Sequence, residues 1–368
     1  MEPLKELNAY GQSVWLDNVS RSLLRSGKLS KLVANGVTGV TSNPAIFEKA
    51  IAYSDDYDQQ IAMLARDKDA VAILRILIID DIKAACDVLL RIYEETGGHD
   101  GFVSVEVSPQ LADDTLGTIA EAQGLWHDIN RPNLLIKVPA TEAGIPAIKA
   151  LISDGINVNA TLLFSRDMYA KVATAYIAGL EALPRSANLA TIASAASFFI
   201  SRIDNKVDAL LSEKVGAGQL GAMKGKTAIA NAKLAFHLWR QIYSSARWTK
   251  LAKRGACPQR LLWASTGTKD KSFSDVMYVD ELVGPNTVNT MPPDTLEAYR
   301  DHGKPGLRLE TGLAEAGAQL ASLEQCGISL DQATAELLAD GLARFKSAAE
   351  SLLVAIEQKR RAALTVRV

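Results

Sequence analysis

The sequence predicts an α/β protein: a closed (β/α)8 TIM barrel with additional helices, including a helical C-terminal extension. Three observations lead there. Eight short apolar runs alternate with longer segments of helical period, the signature of repeated βα units. Several runs are apolar on both faces, as in Leu134-Leu135-Ile136, which suits parallel strands covered on both sides. The 368 residues exceed the roughly 250 of a minimal barrel and leave room for extensions.

The predicted strands are 13–17, 39–42, 102–107, 133–138, 157–164, 191–197, 261–265 and 287–291. Each is bounded by turn or capping residues, is too short for a typical helix, and several are rich in Val, Ile, Leu and Thr. Eight such repeats favour a closed barrel over an open sheet. Between them, Ser42-Asn43-Pro44 places a capping residue before a proline suited to a first helical turn. A long helix is expected over 70–95, stopped by Thr96-Gly97-Gly98. Thr141 and Ser165 are expected N-caps, the first opening a helix with Ile145, Ile148, Leu151 and Ile152 on one face. Further helices are expected over 224–245 and 332–359. The last carries a stripe at Leu338, Leu342, Phe345, Ala349, Leu352 and Ile356, which suits packing on its own domain or a homodimer seam. The strand pattern ends near Met291, so the chain reads as one domain, 1–368, with a core of about 13–292 and an extension over 293–368.

Composition narrows the function. Apolar residues make up 48% and charged residues 22%, and 40 basic against 42 acidic residues give a net charge of −2. Nothing in that balance calls for nucleic acid or an anionic membrane. The longest apolar runs stop well short of the roughly 18 residues that span a bilayer. Cys86, Cys257 and Cys326 are too few and too scattered for a disulfide framework, and the N-terminus shows no secretory pattern, so a reducing cytoplasm is expected. His99, His127, His237 and His302 form no metal-binding motif. No GxGxxG or GxxxxGK[ST] follows a predicted strand, so no nucleotide cofactor is expected either.

The informative polar residues lie at strand ends, where barrel active sites are built. They are Asp17, Asn43, Glu106, Lys137, Asn159 with Thr161, Ser197 and Ser265. Lys137 stands out, because it sits inside a run of apolar strand residues. Such a lysine either snorkels to the surface or is held in a desolvated pocket, where the neutral amine is favoured and can attack a ketone. Addition and loss of water would give a cationic imine, an electron sink that lets a neighbouring carbon–carbon bond break. That chemistry needs two acid/base groups, and Asp17 and Glu106 lie on different strands. Asp17 also suits a helix N-cap, and Glu106 an ion pair with Lys137.

Five ordered segments resemble the transaldolase family: Val14-Trp-Leu-Asp17, Val40-Thr41-Ser42-Asn43-Pro44, Val103-Ser-Val-Glu106-Val107, Leu135-Ile-Lys137-Val138-Pro139-Ala-Thr141, and Gly155-Ile-Asn157-Val-Asn159-Ala-Thr161-Leu-Leu-Phe164-Ser165. The resemblance runs from about Ser13 to Met291, most of the chain. The resemblance implies an enzyme of the non-oxidative pentose phosphate pathway, with sugar phosphates as partners. It would carry a dihydroxyacetone unit from sedoheptulose 7-phosphate or fructose 6-phosphate to glyceraldehyde 3-phosphate or erythrose 4-phosphate through a Schiff base on Lys137. Asp17 would take the C4 hydroxyl proton. Glu106, through a water held with Thr161, would manage dehydration. Asn43 and Asn159 would hold the dihydroxyacetone hydroxyls, with Thr41 and Ser197 lining the same pocket.

Arg202, in Ser197-Phe-Phe-Ile-Ser-Arg202, resembles the family's phosphate-binding arginine. The next match departs. Shorter relatives carry Ser-x-Arg after the seventh strand, whereas this chain reads Ser265-Thr-Gly267-Thr-Lys269-Asp270. Lys269, assisted by Ser265, is the candidate replacement, as a point charge in place of a planar fork; a solvated loop lysine is the alternative. This text and the long C-terminal helices resemble a longer bacterial subfamily.

Overall fold

The computed structural model describes residues 2–365. Eight parallel strands close into one barrel in chain order: β1 Gln12–Leu16, β2 Gly39–Thr41, β3 Val103–Glu106, β4 Leu134–Pro139, β5 Val158–Leu163, β6 Ser194–Phe199, β7 Arg260–Ala264 and β8 Thr287–Met291. β8 pairs with β1 over five residues and completes the ring. Every predicted strand overlaps an observed one, because parallel strands buried on both faces read as unbroken apolar runs. Among the described residues, no helix is long and apolar enough to cross a membrane.

Alternation along the strands sends every second residue inward. At the bottom, Trp15, Phe102, Leu135, Arg260 and Val288 line a small cavity. Trp15 lies flat across β2 beside its register partner Gly39. A Cβ on Gly39 would come within 2.4 Å of the indole nitrogen, so the position admits only glycine. The indole N–H donates to Asp100 at 2.8 Å. One layer higher, Asn159 donates to Ser104 Oγ at 3.1 Å and accepts from Ser197 Oγ at 2.7 Å. These polar groups are buried and need such partners, since each one left unmade would cost about 1–3 kcal/mol. Above them lies the mouth.

The helices differ from expectation in two instructive places. Ser165 caps the helix Arg166–Ala182 as predicted, accepting from Met168 N at 3.1 Å. Thr141 does not stand at the helix start. It lies upstream of the helix Gly144–Ser153, accepting from Gly144 N at 2.9 Å and donating to the Ala112 carbonyl at 2.6 Å. The C-terminal helix, Leu330–Thr365, packs against the chain's own helix Pro44–Ala52 and strand β5. Its buried line runs through Thr334, Leu337, Gly341, Phe345, Ala348, Leu352 and Ile356. Phe345, Leu352 and Ile356 of the predicted stripe lie on that line and Leu338 and Leu342 pack half-buried against the core, while Thr334, Gly341 and Ala348, which carry little apolar signal, complete it.

The helix Ser201–Lys214 follows β6 and is anchored by a buried carboxylate. Asp204 accepts from Ala228 N at 2.7 Å and from the Tyr278 hydroxyl at 2.9 Å. Burial, reinforced by the nearby Asp208 charge, pushes its pKa from 3.8 up to about 7 against those hydrogen bonds. Between these values the folded state holds a proton that the unfolded chain has lost, so stability falls as pH rises through that window. Asp204→Asn keeps the shape and removes the titration. The variant's melting temperature relative to the parent is expected to rise between pH 5 and pH 8, as read by thermal unfolding. An offset independent of pH would show that Asp204 does not titrate in this range.

Candidate active site

Lys137 lies in β4 on the inner face, in register with Glu106 of β3 on one side and Asn159 of β5 on the other. Its neighbours Leu135, Ile136 and Val138 are fully enclosed, and Lys137 itself is only 4% exposed. The amine does not snorkel. Nζ donates to the Ser42 carbonyl at 3.0 Å and stands 3.4 Å from Glu106 Oε2. Ser42 ends up there because the Thr41-Ser42-Asn43-Pro44 segment turns directly from β2 into the helix Pro44–Ala52.

The two carboxylates occupy different settings. The Glu106 side chain is enclosed, and its Oε1 has no hydrogen-bond partner among the described residues. Burial raises its pKa above the ordinary 4.5. The charge of Lys137 pulls the other way, and that of Asp17 adds to the rise. Asp17 follows β1, where its backbone N–H donates to the Met291 carbonyl at 2.8 Å, so the strand pairing with β8 holds it. Its side chain accepts from Thr41 Oγ1 at 2.7 Å, and Thr41 in turn meets Thr290 Oγ1 at 2.6 Å. Burial raises the Asp17 pKa above 3.8, opposed first by the Lys137 charge and then by Thr41 and Arg202. Two acids of raised pKa thus flank one buried amine, an arrangement suited to moving protons near neutral pH.

Thr161 lies two residues beyond Asn159 on β5, and its hydroxyl is buried without a partner among the described residues. The strand changes register between Ala160 and Leu163, and Leu162 adopts a left-handed conformation with φ of 60°. A branched-chain residue rarely does so without a local reason. Here the bulge falls at the rim, beside Thr161. Arg202 stands at the start of its helix, its guanidinium over the Phe199 ring at 5.1 Å.

The structure therefore brings Asp17, Thr41, Glu106, Lys137, Asn159, Thr161, Ser197 and Arg202 around one mouth, with Asn159 and Ser197 a layer lower than the acids. Asn43 lies at the edge, where its Oδ1 caps the helix Pro44–Ala52 by accepting from Ile46 N at 3.1 Å. Ser265, with φ of 57°, bonds Ser201 across their hydroxyls at 3.0 Å and accepts from Ser201 N through its carbonyl. Lys269 is exposed on the loop beyond. Sequence reasoning missed Ser42, Ser104 and Thr290. Ser104 and Thr290 were accessible by period-two counting from Glu106 and along β8. The role of Ser42 belongs to its backbone carbonyl and leaves no side-chain signal.

Comparison with known proteins agrees with this geometry. The family described as transaldolase/fructose-6-phosphate aldolase matches residues 14–356. The chain is 46% identical to the transaldolase of Trichodesmium erythraeum (strain IMS101), with 97% of each chain covered. It is 48% identical to the transaldolase of Thermobifida fusca (strain YX), with 97% of this chain and 98% of that one covered. It is also 47% identical to transaldolase 2 of Nostoc sp. (strain PCC 7120 / SAG 25.82 / UTEX 2576), with 97% of each covered. A barrel with a buried, acid-flanked lysine, matched over nearly its whole length, belongs to the transaldolase/fructose-6-phosphate aldolase family.

Proposed function

We propose that this protein is a transaldolase that carries a dihydroxyacetone unit between sugar phosphates on Lys137. The observation that carries this reading is the enclosure of Lys137 Nζ 3.4 Å from Glu106, with Asp17 close enough to feel the same charge. Donors are ketose phosphates such as sedoheptulose 7-phosphate or fructose 6-phosphate. Acceptors are glyceraldehyde 3-phosphate or erythrose 4-phosphate, and the place of the reaction is the non-oxidative pentose phosphate pathway.

The chemistry follows from the site. Glu106 accepts the lysine proton, and the neutral amine adds to the C2 ketone. Glu106 then returns a proton to the leaving hydroxyl through a water shared with Thr161, whose hydroxyl and the Glu106 Oε1 are both buried and without partners among the described residues. Water leaves and the imine forms. Asp17 takes the C4 hydroxyl proton, the C3–C4 bond breaks, and the electron pair passes into the imine to give an enamine. The aldose phosphate departs. The enamine carbon then attacks the aldehyde of the second aldose phosphate, Asp17 returns the proton, and hydrolysis of the new imine frees the product. Asn159, with Asn43 at the rim, holds the dihydroxyacetone hydroxyls, with Thr41 and Ser197 beside them. Arg202 meets the phosphate, with Ser265 and Lys269 on the facing loop. An enclosed mouth limits premature hydrolysis of the covalent unit.

Transfer is distinguished from simple aldol cleavage by supplying fructose 6-phosphate with and without erythrose 4-phosphate. Steady glyceraldehyde 3-phosphate release is expected only with the acceptor; equal release without it would identify an aldolase. Borohydride with a ketose phosphate is expected to label Lys137, and Lys137→Ala to abolish the adduct. Asp17→Ala is expected to retain the adduct while lowering kcat by at least about 100-fold, the usual scale for a lost general base; ordinary turnover would reject its role. Because burial raises the Asp17 pKa, its basic form is lost on acidification earlier than for an ordinary aspartate. The acid limb of kcat/KM for the donor is expected above the usual carboxylate range, measured as a pH–rate profile, and a limb below pH 4 would contradict the assignment.

A further inference from the structure

The C-terminal helix does more than cover the barrel. Gly341 is buried against the bulge of β5 and the start of the helix Ser201–Lys214. A Cβ there would sit 3.0 Å from Leu162 Cδ2 and 3.6 Å from a guanidinium nitrogen of Arg202. One turn after Arg202, Lys206 pairs with Glu336 of the C-terminal helix at 2.5 Å, which holds the two helices in register. Arg344 follows Gly341 by three residues and Leu337 by seven, so helical period puts it on the same face as those two buried residues. Yet Arg344 is exposed. Its charge is near enough to act on the Arg202 guanidinium.

The charges there are unbalanced. Among the described residues, neither Arg202 nor Arg344 has a carboxylate within ion-pair distance, and Arg344 makes no hydrogen bond. Burial together with the neighbouring Arg344 charge lowers the pKa of Arg202, with Asp17 and Glu106 opposing from further inside. Two guanidinium groups held near each other without an intervening acid repel, and a dianion between them removes that repulsion. Planar guanidinium forks suit phosphate oxygens better than the point charge of a lysine does. Lys269, by contrast, stands on a loop whose next residue, Asp270, is drawn towards Lys224 at 2.6 Å.

We propose that Arg344, from the C-terminal helix, is the second cation of the phosphate subsite and clamps the phosphoryl group of the sugar phosphate together with Arg202. This rests on the reading of the protein as a transferase between sugar phosphates. The C-terminal segment thereby becomes part of the specificity machinery. It selects phosphorylated over unphosphorylated aldehydes.

The test compares acceptors. In a double-displacement sequence, kcat/KM for the acceptor reports the second half-reaction alone, so erythrose 4-phosphate and unphosphorylated erythrose can be set against each other with one donor. Arg344→Ala is expected to lower kcat/KM for erythrose 4-phosphate about 10- to 100-fold, the range of a lost charged hydrogen bond, and so to collapse the preference over erythrose. Arg344→Lys is expected to recover part of the preference, and inhibition by inorganic phosphate to weaken in parallel with the Ala variant. Equal losses for both acceptors would overturn the proposal by showing a merely structural role. An intact preference in Arg344→Ala, lost instead in Lys269→Ala, would overturn it in favour of the loop lysine. If the parent enzyme yields no borohydride adduct on Lys137, the underlying transferase reading fails, a result seen before any acceptor is added.

Discussion

The enclosure of one amine governs the rest of this structure. Lys137 Nζ is removed from water and held between the Ser42 carbonyl at 3.0 Å and Glu106 at 3.4 Å. A charge in such a place is costly unless paired, and a carboxylate in such a place is equally costly. The raised pKa values of Glu106 and Asp17 come first from burial, and the lysine charge only moderates them. The barrel supplies that burial by closing on itself, so that the inner face of β4 looks onto the side chains of the other strands.

Below the amine, polar side chains bond one another across the strands. Ser104, Asn159 and Ser197 bond one another across three strands. Trp15 and Leu135 close the floor beneath them. This layering separates the roles. The middle groups are saturated by their neighbours and hold geometry, while Thr161 and Glu106 at the rim carry buried oxygens without partners among the described residues. Other buried groups, among them Gln12, Gln259 and Asn289, also carry unpartnered atoms among the described residues, so what distinguishes Glu106 is its place 3.4 Å from the Lys137 amine.

The C-terminal helix links the barrel to the extension. Its buried line passes Gly341 over Leu162 at the β5 bulge and over Arg202, so the residue that permits close approach also sets how the helix lies on the mouth. A strained backbone at Leu162 and a glycine opposite it form one feature.

Much of this was legible along the chain. Two-sided apolar runs such as Leu134-Leu135-Ile136 announced parallel strands, and a lysine lodged among them announced an unusual amine. Asp17 and Glu106 were visible as carboxylates at strand ends, because the pattern of period two and the turn residues after each strand are local properties. Other features were beyond reach. Whether Lys137 would snorkel or stay enclosed depended on closure of eight strands that are distant in sequence. The Ser42 carbonyl left no trace, since every residue has one. The face that the last helix buries was legible in part: apolarity marks Phe345, Leu352 and Ile356, whereas Gly341 joins the buried line with no apolar side chain to announce it. Local chemistry thus specified the strands, their order and the reactive residue types. Depth, pairing and pKa came only with the closed barrel, because desolvation belongs to the assembled fold and to no single segment of the chain.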